Sequence, residues 1–156
     1  MQEGQAQRNN RLLLDKQMEF GELGKNLPAL FSALLVSILF IQSGLDKVFD
    51  WKDNLEWLTG HFSKTFLRGT VPPMLATITV MELAAGFLSV AGIVYFLIAG
   101  STVLIFYASI LGAAAIAALF FGQRVAKDYA GAAVLIPYFI LLIVLMYLTN
   151  PFLKIQ

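Results

Sequence analysis

The stretch Leu83–Gln123, LAAGFLSVAGIVYFLIAGSTVLIFYASILGAAAIAALFFGQ, runs for 41 residues without one Asp, Glu, Lys, Arg or His. No water-exposed surface stays uncharged for that long. One membrane-spanning helix needs about 20 apolar residues, so the stretch holds two spans joined by a tight turn. The rest of the chain agrees with this reading. Charged residues make up 13% of its 156 residues, against about 25% in an ordinary soluble domain, and the mean hydropathy is +0.74.

The pattern predicts an all-α membrane protein, a four-transmembrane-helix bundle with an interfacial amphipathic segment between the first and second spans. Residues 1–26 form a polar, charge-balanced N-terminal tail, residues 27–150 the membrane domain and residues 151–156 a C-terminal tail. The spans are expected at about 28–49, 72–90, 98–121 and 129–148. Pro28 and the pair Pro72-Pro73 suit first helical turns, where a missing N–H costs nothing. Gly92 is expected to mark the turn between the second and third spans. The third span carries Ala108/Gly112 and Ala113/Ala117, a small-xxx-small spacing that lets helix backbones approach closely in lipid. Pro137 lies inside the fourth span, and Asn150-Pro151 ends it. The first apolar segment is about 22 residues long and starts after a mixed-charge tail; a signal peptide's apolar region is about 7–15 residues, so a cleaved leader is not expected.

Residues 50–71 form the one substantial loop outside the membrane. Trp51, Leu55, Leu58, Phe62 and Phe66 recur at helical spacing on one face. With Trp57, these aromatics predict a helix lying in the membrane interface, with Trp51, Trp57, Phe62 and Phe66 as its anchors. The alternative is a lid over a site between the spans. Lys and Arg divide five to six between the two membrane faces, so the positive-inside rule leaves the orientation open.

Composition excludes several chemistries. The net charge of +1 comes without a basic patch or a Gly-rich phosphate loop, which argues against nucleic acid. The absence of cysteine removes thiolate catalysis, disulfide exchange and iron–sulfur ligation. The single histidine, His61, cannot form a bis-histidine haem within one chain. No serine sits in a Gly-x-Ser-x-Gly turn, and the carboxylates show no metal-ligand spacing, so no metal site and no hydrolase are expected.

One residue breaks the apolar pattern of the second span. Glu82 lies about ten residues inside it, where a charge costs several kcal/mol unless paired, hydrated or protonated. Ala85, Gly86 and Ser89 share its face. That face is small enough for another helix to pack on it, which places Glu82 inside the bundle. Its partners are expected at the C-terminal end of the first span. Gln42 is the best match in depth. Lysine prefers to reach outward to water, so an inward Lys47 would need Glu82 as its reason. Ser43 and Lys47 share one face, and Gln42 and Asp46 share another. The candidate pocket is therefore Gln42, Ser43, Lys47 and Glu82, serving either as a structural clamp or as a partner for a proton or a quinone head group.

Two segments carry a family resemblance. Phe40–Asp50, FIQSGLDKVFD, resembles the apolar-x-x-Ser-Gly-x-x-Lys-apolar segment of the DoxX-like family of small four-helix membrane proteins. Met81–Gly86, MELAAG, followed by Gly92, resembles that family's Glu-x-x-x-Gly second helix and turn. The likeness covers about residues 28–150; the aromatic loop and the N-terminal tail lie outside it. It implies a bacterial inner-membrane location with both termini in the cytoplasm. It carries over Ser43, Gly44, Lys47, Glu82 and Gly86 as motif positions, with Gly44 and Gly86 structural. By the same resemblance the chain is expected to be an accessory subunit of a redox-linked membrane complex, in contact with the bilayer and other membrane subunits. It would hold no electron-transfer cofactor of its own and have no independent activity. A quinone-interacting oxidoreductase subunit and a small proton-coupled transporter are the alternatives.

Overall fold

The computed structural model describes residues 2–153, with side chains placed from Gly21 onward. Most side chains of the polar N-terminal tail, and the last three residues of the C-terminal tail, lie outside the described side chains. Among the described residues every regular element is an α-helix: α1 (Gln2–Phe49), α2 (Trp51–His61), α3 (Val71–Ala99), α4 (Val103–Val125) and α5 (Tyr129–Leu148). Residues Gly21–Phe49 of α1, and all of α3, α4 and α5, are long and apolar enough to cross a membrane. The chain is a multi-pass α-helical membrane protein.

Consecutive spans are neighbours: α1 packs on α3, α3 on α4 and α4 on α5, while α1 also touches α4 and α5. The core is built from Val36 and Phe40 of α1, Ala85 of α3, Ile105 and Ile116 of α4, and Leu142 and Leu145 of α5. Outward faces are apolar too. Phe31, Ile98, Val134 and Tyr147 are more than half exposed, as expected for surfaces whose solvent is lipid rather than water.

Close approach at glycine sets the α1–α3 seam. A Cβ on Gly86 would stand 2.9 Å from the backbone nitrogen of Ile41, and one on Gly44 would stand 2.6 Å from Leu83 Cδ2. Helices without a hydrophobic driving force between them gain by this kind of contact, because dispersion rises steeply as backbones near each other. Farther along, Ser89 Oγ on α3 donates to the Ala33 carbonyl of α1 at 2.8 Å. This second tie across the seam satisfies a hydroxyl that is fully buried.

Three boundaries differ from the sequence expectation. The first span does not begin at Pro28, which lies inside α1. The backbone N–H that proline lacks is lost where Gly24 and Pro28 are both exposed, so the orphaned Gly24 carbonyl can be solvated. Gly92 is not a turn. It is buried within α3, where a Cβ would stand 2.8 Å from the backbone nitrogen of Ile105; it is a close-packing site on α4. The turn comes at Gly100, whose φ of 67° is the left-handed cap geometry that glycine adopts without strain. Accordingly α4 runs Val103–Val125 rather than 98–121. The packing expectation for Ala117 also fails. Ala108, Gly112 and Ala113 are buried, but Ala117 is exposed and lines a shallow groove between α4 and α5. Two helical turns take about 7.2 residues, so Ala108, Gly112 and Ala115 share one inward face, while Ala117, nine residues after Ala108, falls on the opposite side.

Candidate functional site

Glu82 is the only carboxylate among the described residues that is buried inside a span, at 1% exposure. Across the glycine seam, α1 presents Ser43 and Lys47, one turn apart on the same face. The three close a ring. Lys47 Nζ stands 2.8 Å from Glu82 Oε2 and donates to Ser43 Oγ at 2.7 Å and to the Ser43 carbonyl at 3.2 Å. Ser43 Oγ in turn donates to Glu82 Oε1 at 3.2 Å. Oε2 lies off any hydrogen-bonding direction from Lys47, so charge rather than a directed hydrogen bond holds that half of the pair. The ring exists because Gly44 lies beside Ser43 and Gly86 lies one turn from Glu82. Larger side chains there would push α1 and α3 apart.

Gln42, the best depth match in the sequence, is not in this ring. It is exposed, on the other side of α1, with Asp46 one turn away and also exposed. Depth along a helix fixes only one coordinate; each residue turns the side chain by about 100°, so Ser43 rather than its neighbour meets Glu82.

Lys47 also reaches a second space. Its side chain is 18% exposed and lines a half-open cavity of about 270 Å³ between the ends of α1, α3 and α4, with α2 across it. The walls are mainly apolar, with Leu58 and Phe62 above, Met74, Leu75 and Ile78 on α3, and Leu119 on α4. The polar groups that line it are Lys47, Asn54, His61 and Gln123.

α2 is tied down over this cavity. His61 Nε2 and Gln123 Oε1 are hydrogen-bonded at 3.0 Å. The imidazole stacks on Trp57 at 4.6 Å and 18°, and meets the edge of Phe62 at 5.3 Å. Phe62 is buried and seats on Gly122, where a Cβ would stand 3.3 Å from its ring. The predicted interfacial helix is therefore shorter than its aromatic pattern: α2 stops at His61, just after Gly60. Trp51 is half-buried, Trp57 is exposed and lines the cavity, and Phe62 is buried. Phe66 lies in the following turns and is 77% exposed, off the face it was assigned to. Sequence reasoning missed Asn54, His61 and Gln123. The only available signal was that the loop and the polar turn after the third span share one membrane face.

Compared with known proteins, the chain matches no family model, no curated protein and no solved structure.

Proposed function

We propose that this protein is a small subunit of a redox-linked assembly in a bacterial inner membrane, and that it receives a quinone-type head group in the cavity beside Lys47. The observation that carries the reading is the cavity itself, a half-open, mainly apolar space with a lysine ammonium on its wall and His61 and Gln123 as further polar groups. Ligand sites are typically apolar clefts of about 300–1,000 Å³ with a few convergent polar groups. At about 270 Å³ this one suits a single ring, whose isoprenoid tail would lie among the spans. A quinone head is flat and carries carbonyl acceptors on opposite edges; the lysine ammonium and the His61–Gln123 pair are the groups able to donate to them. Bound there, the quinone would supply the electron-accepting chemistry. The chain's own part is to bind and orient the ring, with Glu82 holding Lys47 in place and α2 excluding water. The redox link, the bacterial membrane and the cytoplasmic termini rest on the likeness of Phe40–Asp50 and Met81–Gly86 to the DoxX-like family.

A second reading has its own support. The donors of Lys47 already face Ser43 and Glu82, which suits a structural clamp in a purely accessory subunit. Trp57 separates the two readings. In purified full-length protein with Trp51→Phe, the remaining tryptophan lies at the cavity. A short-chain quinone should quench it saturably, and Lys47→Met should weaken that binding about tenfold or more, since a hydrogen bond to a charged group contributes about 1.5–3 kcal/mol. Linear, non-saturating quenching identical in both proteins would leave only the clamp.

A further inference from the structure

The far side of the α1–α3 seam carries polar groups that neither the ring nor the cavity uses. Gln42 and Asp46, one turn apart, are both exposed on a face that otherwise belongs to lipid. They line an open groove between α1 and α3 whose other walls include Ile38, Phe49, Val90 and Val94. Gln42 lies seven residues before the end of α1 at Phe49, about 10 Å along the axis, and Asp46 three residues before it, about 4.5 Å. Among the described residues, neither side chain makes a hydrogen bond or an ion pair within the chain. An amide at the depth of Gln42 is costly without a partner, and a carboxylate less than one turn from the end of the span is stabilised by a cation beside it.

We propose that this groove docks a transmembrane helix of a different membrane protein, one that carries a Lys or Arg at the level of Asp46. The negative charge of Asp46 selects the cation. Gln42, deeper in the groove, can both donate and accept a hydrogen bond across the helix pair, and the valines and Ile38 supply the apolar contact around it. A second copy of this chain does not fit the charge. Of its two basic side chains in the last turns of the spans on that face, Lys47 is committed to Glu82 and Arg124, at the end of α4, stacks over the Tyr129 ring of its own chain at 4.6 Å. The inference rests on the reading of the chain as a subunit, but not on the quinone.

The test uses the full chain in its native membranes, with a photo-crosslinking amino acid at Val94 in the groove and, as control, at Ile140, an exposed position on α5. The expected result is an adduct from Val94 to one polypeptide whose spanning helix has a Lys or Arg near the matching face, with none from Ile140. Asp46→Lys should cut that adduct at least tenfold, and replacing the partner's basic residue with Asp should restore it. Adducts with lipid only, adducts with a second copy, or a protein adduct indifferent to Asp46→Lys would each overturn the proposal. Trp57 quenching on the isolated protein reports separately on the cavity, so the two readings can fail independently. Asp46 is exposed and outside the buried ring, so folding of the variant is checked by that same signal.

Discussion

Removing Lys47 should harm this protein more than removing the charge of Glu82, although the two form one ion pair. Glu82 is 1% exposed and eleven residues into α3, while the Lys47 side chain is 18% exposed and only two residues from the end of α1. Lys47→Met leaves a carboxylate sealed in the bundle with only the Ser43 hydroxyl for company. Breaking a buried pair in this way costs about 3–5 kcal/mol. Glu82→Gln leaves instead a lysine at the cavity wall, near the membrane face, that can swing outward to water. Its loss is that of a charge-assisted contact, about 1.5–3 kcal/mol. Lys47→Met combined with Glu82→Gln should be less damaging than the sum of the two, because no uncompensated charge remains. Their coupling should fall within about 0.5–3 kcal/mol. The assay is reversible unfolding in mixed micelles by detergent titration, followed by far-ultraviolet circular dichroism and analysed as a double-mutant cycle. Equal losses for the two single variants, or strict additivity in the double, would refute the account of a sealed acid held by a partly wet base.

Other expectations follow from single contacts. Gly86→Ala puts a methyl group 2.9 Å from the Ile41 backbone nitrogen and should cost about 1–3 kcal/mol as overpacking. Gly24→Ala, with nothing within 4 Å, should leave the unfolding midpoint unchanged or raise it. Asp128 caps α5 by accepting from the Gly131 N–H at 2.8 Å. Asp128→Ala should lose about 0.5–2 kcal/mol in the same titration, and Asp128→Asn should retain most of it. The chain has no cysteine, which permits a clean topology test with a membrane-impermeant maleimide. Ser63→Cys in the loop after α2 should label from one side of the membrane, and Ser101→Cys in the α3–α4 turn only from the other. Labelling of both from the same side would be incompatible with the four-span arrangement.

Much of this protein was legible in its sequence because bilayer physics acts on long segments. A span needs some twenty apolar residues whatever packs beside it, so the uncharged run from Leu83 to Gln123 announces two spans before any contact is known. An acid in such a segment stands out for the same reason, and helical periodicity alone puts Ser43 and Lys47 on one face. Tertiary packing decided the rest. Both Gln42 and Ser43 lie at suitable depth for Glu82, and only the rotation of α1 about its axis chooses between them. That rotation is set by where Gly44 and Gly86 let the backbones touch. Gly92 and Gly100 look alike as letters; one is crowded by Ile105 and the other turns the chain with a positive φ. His61 and Gln123 are 62 residues apart, and no local pattern could predict that bringing α2 across the bundle would join them over a cavity.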